Sequence, residues 1–169
     1  MNGASICKVL NWLTVPARWF LGGLFIYMGL SKALHPVEFL KLVHQYELVN
    51  TPSLLNFIAA TLPWFEVLCG LLLLTGVAVR GSALVVLLML VPFSIVVFRR
   101  ALAIHTAKAI AFCAVKFDCG CGNGEVWICH KLAENSALIL LSAWLLFGYG
   151  KELSLRYRLW PIRHPHQPC

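Results

Sequence analysis

Acidic residues are scarce in this sequence: seven Asp and Glu among 169 residues, with charged residues of both signs making up only 12%. A soluble domain averages about 25% charged and about 45–50% apolar. Here 60% of the chain is hydrophobic. The shortage of charge excludes an ordinary water-soluble globule, and the apolar excess excludes a disordered chain. A concentrated basic patch is also lacking. The 14 Lys and Arg are spread along the chain, so the net charge of +7 does not suit nucleic acid and suits anionic lipid head groups instead. Phosphate-cradling glycine motifs, internal repeats and a break suggesting a second domain are missing too.

What is present is four apolar stretches, at about 12–34, 54–79, 82–98 and 132–149. Each is close to the roughly 17–25 residues that cross a hydrocarbon core as a helix, the only state that satisfies an isolated backbone there. The expected fold is all-α: an integral-membrane, antiparallel four-helix bundle in a single domain of residues 1–150, with a basic extramembrane tail at 151–169. The first stretch exceeds the roughly 7–15 apolar residues of a signal peptide and is read as an uncleaved span. After it, Pro36 suits a first helical position; Phe39, Leu40, Val43 and Tyr46 share one side, with Glu38, Lys41 and Gln45 on another. That pattern predicts a short helix lying in the membrane interface. Residues 99–115 are apolar but carry Arg99, Arg100, His105 and Lys108, which predicts a continuation or elbow of the third span. With four spans, Lys and Arg divide seven against seven between the two sides, and only the basic tail favours cytoplasmic termini.

Four of the seven cysteines fall between Cys113 and Cys129. Cys119 and Cys121 are separated by Gly120 alone, and a disulfide between them closes a small strained ring that suits exchange better than stapling. Lys116 favours a thiolate there and Asp118 opposes it. Cys113 and Cys129 flank the pair as candidate resolving partners. Four cysteines allow three full pairings. Thiol–disulfide chemistry, static staples, and a metal site built from these cysteines with or without His130 are the competing readings. The last lacks the paired cysteine hooks of common zinc modules. A bond across the loop, between helix ends that meet the same membrane surface, closes a larger and less strained ring than Cys119–Cys121 and is expected at rest. Cys69 reads as a small core residue, while Cys7 and Cys169 are terminal.

The order of features resembles the DoxX/MauE family of small four-helix membrane proteins. The matching pieces are Pro16-Ala17-Arg18-Trp19-Phe20-Leu21-Gly22, Gly29-Leu30-Ser31-Lys32, Leu62-Pro63-Trp64-Phe65-Glu66-Val67-Leu68-Cys69-Gly70, Gly76-Val77-Ala78-Val79-Arg80 and Asp118-Cys119-Gly120-Cys121-Gly122. Gly122-Asn123-Gly124 departs from the Phe-Gly that often follows the second cysteine in the family, and Cys113 and Cys129 are additional. The resemblance implies a bacterial inner-membrane protein with termini inside and the cysteine loop on the periplasmic side. The MauE branch is implicated in disulfide maturation of a periplasmic dehydrogenase subunit, and the DoxX/DoxD branch in quinone-linked sulfur oxidation and terminal oxidase systems.

Inside the membrane, Glu66 must be neutral, paired or facing a cavity. Arg18, on the side where the second span ends, is the expected partner; Lys32 reads as a snorkelling anchor. Two functions are expected. The first is a redox-associated membrane protein assisting disulfide formation in exported partners, with Cys119 and Cys121 exchanging, Cys113 and Cys129 relaying or locking, and a quinone as candidate electron sink, although no quinone motif is readable. The second is a small structural subunit of a large respiratory or photosynthetic electron-transfer complex, with its cysteines as static staples.

Overall fold

The computed structural model describes residues 3–45, 51–118 and 124–147, with side chains described from Trp12 onward. Cys119, Cys121, Tyr46 and the basic tail lie outside these residues. Helix α1 runs Gly3–Leu34 and α2 runs Pro36–Gln45. The break between them has a local cause: the ring of Pro36 disfavours helical backbone at His35. The His35 carbonyl then accepts the Phe39 N–H at 3.1 Å and so starts α2. Helix α3, Pro52–Thr75, begins with proline in its first turn after an extended Thr51. It stops at Gly76, whose left-handed φ of 74° lets its N–H reach the Leu73 carbonyl.

Helix α4 runs Val79–Lys108 without a break. Of the two expectations for residues 99–115, a continuation or an elbow, the helix continues as far as Lys108 and is followed by Ala109 at a φ of 49°. A 3-10 turn at Phe112–Ala114 leads to strand β1, Lys116–Asp118, paired antiparallel with β2, Glu125–Trp127. Lys116 faces Trp127 and Asp118 faces Glu125 in the register. Helix α5, Ile128–Phe147, follows directly. Among the described residues, three of the five α-helices are long and apolar enough to cross a membrane: the 12–34 part of α1, α3 and α4. Helix α5 spends its first two turns on His130, Lys131, Glu134 and Asn135 and is shorter.

Helix α1 packs along α3, and α4 along α5, with α3 also meeting α4. The α1–α3 contact is a backbone contact made at glycine. A Cβ built on Gly70 would stand 2.6 Å from the Gly22 carbonyl oxygen, and one on Gly29 would stand 2.7 Å from that of Pro63. Small residues permit such an approach between helices in lipid, where dispersion replaces the hydrophobic effect as the attraction. The core joins Leu21, Phe25 and Met28 of α1 to Cys69 and Leu73 of α3, Val86 and Leu90 of α4, and Leu138 and Leu145 of α5. A second cluster, Val97, Ala101, Val115 and Ile128, sits under the ribbon.

Outside and inside are exchanged relative to a water-soluble protein. Trp19, Phe57, Trp64, Leu88, Leu140 and Phe147 are exposed, while Arg18, Lys32, Glu66, Lys131 and Asn135 are buried. Lipid accommodates the first set and the bundle accommodates the second.

Candidate functional site: a disulfide-based ribbon above a cavity with charged walls

The ribbon rises from a covalent base. Cys113 in the 3-10 turn and Cys129 in the first turn of α5 are paired as a disulfide with a Cα–Cα distance of 5.1 Å. Backbone bonds support the same junction: Val115 donates to the Phe112 carbonyl at 3.2 Å, and Ile128 donates to the Val115 carbonyl at 3.1 Å. Packing fixes the turn beneath. The Phe112 ring lies 5.8 Å from that of Phe98 and 6.0 Å edge-on to His105. A carbonyl can only accept, so His105 carries its proton on Nδ1 and donates it to the Ile110 oxygen. On the ribbon, the Lys116 ammonium sits 3.9 Å from the Trp127 ring centroid. The expected bond across the loop is thus the pairing present, and the ribbon carries the chain to the segment 119–123 that holds Cys119 and Cys121.

Below the ribbon, between the two helix pairs, lies a cavity of about 320 Å³. Its wall is mostly apolar, including Phe25, Met28, Phe39, Leu62, Leu88 and Phe93, with four polar groups: Lys32, Glu66, Lys131 and Asn135. Lys32 Nζ donates to Glu66 Oε1 at 2.5 Å, and both side chains are buried. The other carboxylate oxygen, Oε2, is buried without a hydrogen-bond partner among the described residues. Lys131 is held from outside the cavity by Glu134 at 3.3 Å. Asn135 Nδ2 donates to Ser94 Oγ at 3.2 Å, which in turn donates to the Leu90 carbonyl, so this chain ties α5 to α4. A second, polar cavity of about 280 Å³ lies between Ser31, His35 and Glu38 on one side and Asp118 and Gly124 on the other. Lys32 and Phe39 line both cavities.

The expected Arg18–Glu66 pair does not form; the partner of Glu66 is Lys32. The α1–α3 register explains this. Glu66 Cβ lies opposite Gly29, whereas Gly22 lies opposite Gly70 and Leu74. At 1.5 Å per residue, Arg18 sits about 16 Å along α1 from the level of Glu66, farther than its side chain extends. Lys32 accordingly is a buried ion-pair member and not a snorkelling anchor. Lys131 and Asn135 were not anticipated, yet spacing marks them. The buried residues of α5 are Ile128, Lys131, Asn135, Leu138, Ser142 and Leu145, an alternation of three and four that defines one inward stripe. On α1, Leu21, Phe25, Met28 and Lys32 do the same.

Helices with lipid-compatible outer faces, polar groups turned inward and a disulfide at one end define a small helical membrane protein with a disulfide-based ribbon between its last two helices. Within that class the chain belongs to the MauE family: the family model described as Methylamine utilisation protein MauE matches residues 10–148, from α1 to just past α5. No curated protein and no solved structure matches the chain.

Proposed function

We propose that this protein is an inner-membrane thiol–disulfide exchange factor that assists disulfide formation in exported partners. The observation that carries the reading is the Cys113–Cys129 bond at the base of the ribbon. With Cys113 and Cys129 paired with each other, the reading assigns exchange to Cys119 and Cys121, which cycle between disulfide and dithiol. A partner thiolate attacks one sulfur of the Cys119–Cys121 bond, giving a mixed disulfide and one loop thiol. The partner's second thiolate then displaces the other loop sulfur. The partner leaves with a disulfide and the loop is left with two thiols. Cys113–Cys129 either relays oxidising equivalents to the loop or locks its base.

The same reading takes α5 as a fourth crossing, completing a four-helix bundle with cytoplasmic termini and a periplasmic ribbon. Support comes from the membership of the MauE family and from the ribbon's position between α4 and α5. Alkylation after mild reduction of native membranes tests the reading. Cys119 and Cys121 are expected to be labelled before Cys113 and Cys129, and their serine variants to leave exported partners reduced. Inert Cys119 and Cys121, or serine variants with normally oxidised partners, would sink it.

One observation favours a second reading. Cys113–Cys129 is seated against a packed cluster at the helix ends, which is how a static staple is placed. The protein would then be an accessory subunit of a larger membrane electron-transfer complex. Co-purification of a stable assembly in mild detergent, with loop cysteines that never exchange, distinguishes this from the first reading.

A further inference from the structure

We propose that the cavity between the helix pairs binds the head of a membrane quinone, with Lys32 and Glu66 as the groups that hold its oxygen. The proposal deepens the exchange reading and rests on it for its role, though not for its geometry.

The cavity selects its ligand by three features. Its wall is apolar and its volume, about 320 Å³, suits one substituted ring. It opens toward lipid: Leu88 lines it and is also 64% exposed on the outer face of α4. An isoprenoid tail can therefore lie in the bilayer while the ring sits inside. Its polar groups balance in charge, since Lys32 is matched by Glu66 and Lys131 by Glu134. A neutral head is accommodated without a new uncompensated charge, whereas the carboxylate of a fatty acid or a lipid phosphate adds one.

The Lys32–Glu66 pair supplies both hydrogen-bonding roles at one point. An ammonium has three N–H donors, and Glu66 Oε1 takes one. Glu66 Oε2 is a buried acceptor with no partner among the described residues. A quinone carbonyl accepts from Lys32; the hydroxyl of the reduced form donates to Oε2. A ligand oxygen that changes from acceptor to donor on reduction is the property that separates quinones from other neutral lipids. Buried polar groups left without such a partner are costly, so the site favours a head of this kind over a purely apolar one.

On the exchange reading the step balances. Two loop thiols lose two protons and two electrons as their S–S bond forms. The quinone takes both electrons and both protons, and its two carbonyl oxygens become hydroxyls. The polar cavity between Asp118 and Lys32 places solvent-accessible groups, His35 and Glu38, between the ribbon and the head site, where protons can pass.

The test is photolabelling of the full chain in phospholipid nanodiscs with an azido-benzoquinone carrying a ten-carbon tail, competed by decyl-benzoquinone in oxidised and reduced form. Expected is saturable labelling of peptides from α3 and α4, with both redox forms competing within about tenfold of each other, or about 1.4 kcal/mol. The double variant Lys32→Met/Glu66→Leu removes the pair together, and is expected to lose labelling at least about tenfold at unchanged elution volume. Leu88→Trp, which narrows the mouth from the lipid side, gives the same loss independently and decides the matter where the double variant does not fold. Non-saturable labelling, wild-type labelling in a folded double variant or in L88W, or equal competition by oleate or phosphatidylglycerol overturns the proposal. Serine at all four loop cysteines separates the two claims. Retained labelling in that variant leaves the quinone site standing without the exchange chemistry, and exchange without labelling in the wild-type chain removes the site alone.

Discussion

Removing one member of the Lys32–Glu66 pair leaves a charge inside the bundle with no counter-charge beside it. Loss of one partner of a buried pair typically costs about 3–5 kcal/mol, while replacing both with apolar groups is often neutral. Lys32→Met alone is therefore expected to lower the thermal midpoint sharply, and Lys32→Met/Glu66→Leu to recover most of it. A double variant no more stable than the single one contradicts the pairing. The presence of a buried carboxylate was legible from Glu66 alone, since no charge sits cheaply at that depth. Its partner was not. Choosing between Arg18 and Lys32 needs the register of α1 on α3, which is set where Gly22 meets Gly70 and Gly29 meets Pro63. Which residues face each other across that contact is a property of two helices together.

Among the elements, α1 and α3 depend most on a single missing side chain. A Cβ at Gly70 meets the Gly22 carbonyl oxygen at 2.6 Å and the Ile26 backbone nitrogen at 3.0 Å. Neither is the tip of a flexible side chain, so the helices themselves must separate. Gly70→Ala is expected to destabilise by about 1–3 kcal/mol, the usual cost of overpacking. Gly23→Ala, at a glycine with nothing within 4 Å of its built Cβ, is expected to leave stability unchanged. Equal effects of the two in a detergent melt would contradict the packing. The starts of α2 and α3 are marked by Pro36 and Pro52, whereas the apolar stretch read to residue 79 overruns the stop at Gly76, because Val77, Ala78 and Val79 continue the apolar run. The course of α4 past Arg99 was harder to read. Arg99 and Arg100 argue against a lipid-buried span there, but they do not tell whether the helix stops or continues.

At the level of the whole molecule, the distribution of polarity was legible from composition: too little charge for water, and long apolar runs. The cavity was not. It takes its wall from all five helices, and its polar groups come from α1, α3 and α5. Each of these looks, in its own segment, like an isolated exception to an apolar pattern. The ribbon lies between these two cases. A bond across the loop was anticipated from the need for the helix ends at Cys113 and Cys129 to meet one surface, but not which cysteines form it, and the ribbon's two short strands carry no alternation long enough to read.

The Cys113–Cys129 bond also makes the chain a closed loop with two tails, rather than a line with two ends. Severing a line divides it; severing a ring opens it and leaves one piece. A protease site introduced at Gly122 would cut within that ring. The cleaved protein is expected to run as one species without reductant and as two with it, α5 leaving α1–α4 on the gel only when the bond is broken. Before reduction α5 is also expected to stay seated in the bundle, where Asn135 reaches Ser94 of α4. Two fragments on a non-reducing gel would mean that the ring is open in the membrane. A single one would make the ribbon a place where the backbone can be interrupted, and a foreign segment inserted, without taking the helices apart.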